Sequence, residues 1–188
     1  KNLRVLVAIG ALALVNLAFH FGAPAGIEGQ AVLRAAVAVY IVLIAIMGGR
    51  IVPSFTRNYL VRAGQTQVPQ PYGWVDTAAL VSTVVALAFW SAVPEGWLTA
   101  LLCAAAALLQ GVRLARWRGG PTWREPLLAV LHIGYGFVPV GLAALVLSAL
   151  GLLATVAALH LLTVGGIGLM TMAVMTRASR GHTGRALS

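Results

Sequence analysis

Two histidines lie deep within apolar stretches of the chain, where an ionisable side chain is costly unless it has a partner. His132 lies about 9 Å from one end of its stretch at 1.5 Å per helical residue, and His160 lies near the middle of the next. Imidazole is the commonest metal ligand and the usual axial ligand of haem iron. Both are therefore candidate metal ligands; the alternative is that each hydrogen-bonds a neighbouring helix. Glycines at positions 165, 166 and 168 would allow close approach of a porphyrin or of another helix.

A second polar set lies in the first two apolar stretches. Asn16 and His20 share one helix face and Gln30 and Arg34 another, because residues four apart are neighbours on a helix. The set could line an anion path, with His20 as a further candidate metal ligand. The alternative is that Arg34 extends to the lipid headgroups and His20 bonds a neighbouring helix.

The sulfur-containing residues and the missing motifs leave the reaction type open. Thioethers are soft ligands for Cu(I), although methionine is also ordinary core filling; the methionines are Met47, Met170, Met172 and Met175. A single Cys103 gives neither an internal disulfide nor a thiolate cage. The sequence contains no HExxH, CxxC, GxSxG or phosphate-loop motif. It therefore leaves undecided whether the protein is an enzyme.

The chain that positions these residues is strongly apolar. Of its 188 residues 60% are hydrophobic and 9% are charged, whereas a soluble domain carries about 25% charged residues. A helix needs about 20 apolar residues to cross a bilayer. We predict an all-α polytopic membrane protein, one six-helix transmembrane domain over residues 1–188. The predicted spans are 3–21, 30–49, 74–93, 97–115, 126–150 and 151–176.

The positive charges alternate between connections. Lys and Arg are concentrated at the N-terminus, after spans two and four and in the tail, whereas the other three connections carry Glu28 and Glu95 instead. The positive-inside rule places both termini in the cytoplasm. Because the net charge of +9 forms no basic stripe, we expect a lipid bilayer and not nucleic acid as partner. Tryptophans at span ends are typical of interfacial belts, and they are Trp74, Trp97, Trp117 and Trp123.

Two strings are more specific than composition. Residues 47–58 have the sequence MGGRIVPSFTRN, and residues 161–185 contain MAVMTR followed by GHTGR. Together they resemble the NnrS family, bacterial inner-membrane proteins that contain haem and copper and take part in the nitric oxide response of denitrifiers. The resemblance covers about residue 48 to the C-terminus.

The resemblance implies more than the residues do by themselves. Family members look roughly twice as long, with about twelve spans, so the chain is expected to be a C-terminal half. The remaining half or another subunit would then complete any metal site. Haem is the implied cofactor, with copper as a second candidate, and the implied location is the bacterial inner membrane. A histidine usually opens the last span in the family, and His160 matches that position.

An arginine set completes the predicted site. Arg50, Arg57, Arg177 and Arg185 could converge at the cytoplasmic interface with His182. Guanidinium groups pair bidentately with carboxylates, so haem propionates or a small anion are candidate partners. The alternative is that these charges only anchor the cytoplasmic side of the helices.

Three functions stay open at this point. The first is a haem-binding protein that handles nitric oxide and protects against nitrosative stress. His132 and His160 differ by roughly 9 Å in predicted depth, so they would serve two sites or one tilted haem. The second is half of an anion or small-molecule transporter or channel. The third is a membrane scaffold in which the histidines only pack.

Overall fold

The computed structural model describes residues 3–22, 26 and 28–182, apart from the side chains of residues 4, 181 and 182. These residues form helices and connections, with no strand among them. The last helix of the chain is continuous and has three parts: an α-helical start, a π-helical segment and an α-helical end. The three parts together are called the sixth helix. The helices are α1 (Leu3–Phe21), α2 (Gly29–Arg62), α3 (Trp74–Ala92), α4 (Trp97–Ala115), α5 (Pro126–Ala149), α6 (Thr155–His160), the π segment (Leu161–Leu169) and α7 (Met170–His182), with a short 3-10 helix at Gly120–Arg124.

The helix lengths confirm a polytopic membrane protein. In the described part of the chain, five helices are long and apolar enough to cross a bilayer, and the apolar helix Val5–Phe21 is shorter. Four predicted spans agree with α1, α3, α4 and α5 to within one residue at each end. The length of each apolar stretch between Gly, Pro and charged residues was therefore enough to predict the bounds of these helices.

The second helix is much longer than predicted. The expected connection from residue 50 is helical as far as Arg62, so α2 has 34 residues. At 1.5 Å per residue it is about 51 Å long, well beyond a hydrocarbon core of about 30 Å. Pro53 lies inside it, although proline usually interrupts helices. Beyond Pro53 the helix continues because Thr56 and Leu60 are buried against the bundle.

Helix α2 lies at the centre of the bundle. It contacts α1, α3, α5 and the π segment, while α3, α4, α5 and the sixth helix pack in chain order. One apolar cluster surrounds Trp90, and a second surrounds Trp117 and Tyr135. The two clusters join α2, α3, α4 and α5 into one unit, and α1 packs mainly on α2.

The turn between α5 and α6 moves the start of the last span. Gly151 has φ +73°, and the Leu152 N–H donates to the Leu147 carbonyl at 2.8 Å, a helix-ending arrangement that glycine favours. The next helix begins at Thr155 and not at Gly151. His160 is therefore in its second turn, about 8 Å from its start. This is nearer the helix start than predicted, because the turn extends further than the sequence suggested.

Glycines allow α5 and the sixth helix to approach closely. A Cβ at Gly141 would overlap the Leu162 side chain, and one at Gly165 would overlap the Phe137 ring. The packing interpretation thus holds for Gly165 in this structure. Gly166 is also buried, near Ile41 of α2.

We predict that Gly141→Ala destabilises the bundle by about 1–3 kcal/mol, because the new methyl group must displace Leu162. The matched control is Gly111→Ala on α4, where nothing lies within 4 Å of the added Cβ. That change should be neutral or stabilising by up to about 1 kcal/mol. Thermal unfolding in detergent, followed by circular dichroism, checks both. Equal unfolding midpoints for the two variants would contradict the proposed close contact.

Candidate functional site

A buried ion pair joins α3 to α4. The Arg113 side chain is 1% exposed, and its Nε donates to Asp76 Oδ1 at 3.0 Å. Asp76 lies in the first turn of α3, where its other oxygen accepts the Gly73 N–H at 3.0 Å. Arg116 Nη2 lies 3.8 Å from the same oxygen. The carboxylate thus compensates a charge that would otherwise be buried alone, which is the condition for placing arginine in an apolar interior.

The pair extends into a hydrogen-bonded network across four helices. Arg113 Nη1 donates to the Ala45 carbonyl of α2 and to the Tyr135 hydroxyl of α5, both at 2.9 Å. The Tyr135 hydroxyl donates to Gln110 Oε1 at 2.7 Å. Gln110 Nε2 donates to Thr83 Oγ1 at 2.8 Å. We call Asp76, Thr83, Gln110, Arg113 and Tyr135 the Arg113 network.

The Arg113 network explains the two glycines in the first family-like string. A Cβ at Gly49 would overlap the Arg113 guanidinium, and one at Gly48 would lie 2.6 Å from the Tyr135 ring. Trp117 closes the other side, with its ring 5.3 Å from Arg113 Cζ and 4.5 Å from the Tyr135 ring. Glycine at both positions lets the α2 backbone approach the network.

Trp117 lies at a span end, as predicted, but it is buried and so cannot belong to a lipid-facing aromatic belt. Its side chain is 2% exposed, whereas Trp74, Trp97 and Trp123 are 77%, 72% and 66% exposed. Trp117 follows the end of α4 and its ring turns inward, where stacking on a cation and on an aromatic ring is favourable. The other three tryptophans have the exposure that an interfacial belt requires.

Sequence reasoning missed the Arg113 network. One signal was available, because Gln110 and Arg113 are three residues apart and share a face of an otherwise apolar helix. An acidic residue in the first turn of the preceding helix then supplies the opposite charge.

His132 has both ring nitrogens in contact with protein atoms. Its Nδ1 lies 3.0 Å from the Leu128 carbonyl, and its Nε2 lies 3.3 Å from Thr56 Oγ1. A Cβ added to Gly119 would lie 2.5 Å from the ring, so backbone covers the ring edge. This arrangement matches the packing alternative better than an open metal site.

His160 is arranged differently. Its side chain is exposed, and its Nδ1 lies 2.8 Å from the Val156 carbonyl. A carbonyl can only accept, so Nδ1 carries the proton and Nε2 keeps its lone pair. Histidines that bind metals commonly donate their other N–H to such a carbonyl. The π segment begins at the next residue, and π-helical turns are rare and often occur at functional sites.

The structure places the two histidines in separate regions. Ser148 lies about 24 Å along α5 from His132, and its hydroxyl is 2.9 Å from that of Thr155. The helix that starts at Thr155 runs antiparallel to α5, so His160 lies about 8 Å from Thr155 in the direction of His132. The two histidines are therefore about 16 Å apart along the bundle axis. Two nitrogens on one metal are about 4 Å apart, given bonds of about 2 Å. Both imidazoles could not bind one iron at this separation, and whether they serve two sites or one tilted haem stays a prediction.

The arginine set is described only in part. Arg50 and Arg57 are exposed, while Arg177 is 7% exposed, with its Cζ 4.2 Å from the Phe55 ring. Among the described residues, Arg177 Nε and Nη1 have no hydrogen-bond partner. Arg185 and the side chain of His182 lie outside the described residues. Convergence of the whole set therefore stays a prediction, and among the described members Arg177 is buried with two donor nitrogens that lack acceptors.

The predicted anion-path residues do not share a hydrogen bond in the described part of the structure. Arg34 Nε donates to the Ser91 carbonyl of α3 at 3.0 Å, and its Nη2 lies 3.8 Å from Glu28. Asn16, His20 and Gln30 are exposed. The Arg34 side chain thus contacts the C-terminal end of α3. That helix is just long enough to cross the hydrocarbon core.

The described residues contain no group of three or more His, Cys, Asp or Glu side chains that could hold a metal. Met170 is buried against Gly134, whereas Met172 and Met175 are 63% and 60% exposed. Any metal held here by His160 would need further ligands from outside this set.

The fold and the buried network define a polytopic helical membrane protein whose charged residues join the helices at one end of the bundle. A protein-family model described as NnrS protein matches residues 1–188. The chain therefore belongs to the NnrS family, membrane proteins of the nitric oxide response, and the match extends over α1 as well as the two strings. No curated protein and no solved structure matches the chain.

We predict that Asp76→Ala destabilises the protein by about 3–5 kcal/mol, because it leaves the Arg113 guanidinium buried without a carboxylate. The double variant Asp76→Ala, Arg113→Met should recover part of that loss. Denaturation in detergent micelles, analysed as a double-mutant cycle, measures the coupling.

The control for this cycle is Arg118→Ala, which removes an exposed hydrogen bond to Gln67. It should change stability by less than about 0.5 kcal/mol. If Asp76→Ala lowered the free energy of unfolding by no more than this control does, the ion pair would not be the interaction that joins α3 to α4.

Proposed function

We propose that the chain forms part of a haem-binding protein of the bacterial inner membrane that handles nitric oxide, with His160 as an axial ligand. The remaining half of the chain or another subunit would supply the opposite wall of the haem site. Family membership supports the nitric oxide connection. The haem itself is proposed from the residues and from the resemblance of the two strings.

The orientation of the His160 imidazole carries this proposal. Nδ1 is bonded to the Val156 carbonyl, and Nε2 has no partner among the described residues. A ring nitrogen acceptor that faces hydrocarbon without a partner costs free energy. In this family a metal or a second protein surface would remove that cost. The helix start is about 8 Å away, so the imidazole lies within the apolar region.

The surface around His160 suits a flat apolar ligand. Val156 and Val164 lie one turn to either side and are 61% and 67% exposed. They form an apolar face on which a porphyrin or a partner helix could pack. Bound haem would supply an iron that binds nitric oxide. The residues of this chain would fix the axial nitrogen, exclude water and hold the ring against the helix.

His132 is assigned a different role in this proposal. A metal on its Nε2 would have to displace Thr56 and move the backbone at Gly119. We therefore propose His132 as a residue that joins α2 to α5. Copper stays a second proposed metal, and its site would need ligands that the described residues do not bring together.

Arg177 is proposed to bind a carboxylate or a small anion apart from the haem at His160. It follows His160 by about 25 Å along the same helix, too far to reach the propionates of a haem ligated there. Its unpartnered Nε and Nη1 are suited to an acceptor, and Phe55 supports the guanidinium from one side.

We predict that His160→Ala in the full-length protein lowers haem content by about an order of magnitude or more, since even second-shell changes cost 10–100-fold. The matched control is Val112→Ala, which trims a valine that is 51% exposed on α4, away from this face. Pyridine haemochrome analysis and the Soret band of the purified protein measure the effect.

His132→Ala distinguishes ligation from packing. It should retain haem but lower the unfolding temperature, because a packing contact between α2 and α5 is lost. Unchanged haem content in His160→Ala would overturn the assignment. Equal haem loss in His132→Ala would show that both sites bind iron or that haem content follows stability alone.

A further inference from the structure

An apolar groove lies between α1, α2 and α3. It has a volume of about 690 Å³, and twelve of its thirteen lining residues are apolar, with Ser91 as the exception. Small side chains make the space, among them Ala8, Ala11, Ala38 and Ala88. A dry cleft of this kind in a membrane protein fits an apolar chain.

The groove is about as long as one acyl chain. It extends from Ala35 to Ile46 along α2, about 16 Å at 1.5 Å per residue. Half of a hydrocarbon core is about 15 Å. One acyl chain that enters from a headgroup at the Ser91 end would therefore fill the groove and end near Leu3 and Ile46.

Charged groups of both signs stand at the Ser91 end. Arg34 donates through Nε to the Ser91 carbonyl, so its guanidinium is fixed beside the groove opening. The Arg34 side chain remains 14% exposed, and Glu28, 3.8 Å away, is 68% exposed. At 3.8 Å this pair is too long for a hydrogen bond. A cation and an anion side by side complement a headgroup that carries a phosphate next to an ammonium.

We propose that this groove is a phosphatidylethanolamine site. The phosphate would bind Arg34, the ammonium would bind Glu28, and one acyl chain would lie between α1, α2 and α3. None of the residues that line the groove belongs to α5 or to the helix of His160, so the site is independent of the proposed haem there.

The test compares lipids on the full-length protein. Delipidated protein in detergent is titrated with phosphatidylethanolamine or phosphatidylglycerol of identical acyl chains, and bound lipid is counted by native mass spectrometry. We expect tighter binding of phosphatidylethanolamine. Arg34→Gln should weaken both lipids about tenfold, as expected for loss of a charge-assisted hydrogen bond. Glu28→Gln should abolish the preference and leave phosphatidylglycerol binding intact.

A steric variant tests the groove without changing charge. Ala88 is exposed and lines the groove, so Ala88→Phe should block the acyl chain while the bundle still folds. Ala105→Phe, an exposed alanine on α4 outside the groove, is its control. Unfolding temperatures without added lipid show whether each variant is folded.

Two results would overturn the proposal. Equal binding of the two lipids by the unmodified protein would reject the headgroup assignment. Unchanged binding in both Arg34→Gln and Ala88→Phe would reject the site, as would a map of the full-length protein with a protein helix in the groove.

Discussion

The buried charge of Arg113 constrains this bundle more than any other feature. A guanidinium that is 1% exposed needs a carboxylate and further acceptors, and each acceptor lies on a different helix. Asp76 is on α3, the Ala45 carbonyl is on α2, and Tyr135 is on α5. Apolar contacts alone would allow neighbouring helices to slide or rotate, because lipid offers similar contacts. The network permits one depth and one rotation for each of the four helices.

The same constraint gives the first family-like string a structural role. Gly48 and Gly49 lie where α2 passes the Tyr135 ring and the Arg113 guanidinium. The string was interpreted from sequence as part of a cytoplasmic arginine site, and Arg50 and Arg57 are indeed exposed. Its glycines, however, pack against buried side chains inside the bundle. A motif that looks like a ligand-binding loop is here a helix whose backbone approaches a buried cation.

Helix positions followed from the sequence, and side-chain partners did not. The bounds of α3, α4 and α5 depend on local apolar length and on Gly, Pro and charged residues at the ends, all of which are visible in one sequence. The continuation of α2 past Pro53 depends on burial of Thr56 and Leu60 by other helices. Composition cannot show such burial.

The candidate site shows the same limit. That histidines lie in the apolar region was predictable, but their environments were not. His132 is enclosed because Thr56 comes from an unforeseen extension of α2 and Gly119 from the connection after α4. His160 is exposed and nearer its helix end because the turn after α5 is longer than expected. Both outcomes depend on contacts between residues far apart in the chain, which spacing alone does not encode.

The Arg113 network is more completely partnered than the polar groups at the opposite end of the bundle. At the Arg113 end each network member bonds another element, so the helices there are fixed. At the other end, within the described residues, His160 presents Nε2 outward, and Arg34 donates to one carbonyl and lies 3.8 Å from one carboxylate. Ligand binding requires donors or acceptors that folding has left unpartnered, held on a frame that does not move. The Arg113 network supplies the frame, and the outward groups are consequently where a cofactor, a lipid or a second protein surface can add favourable free energy.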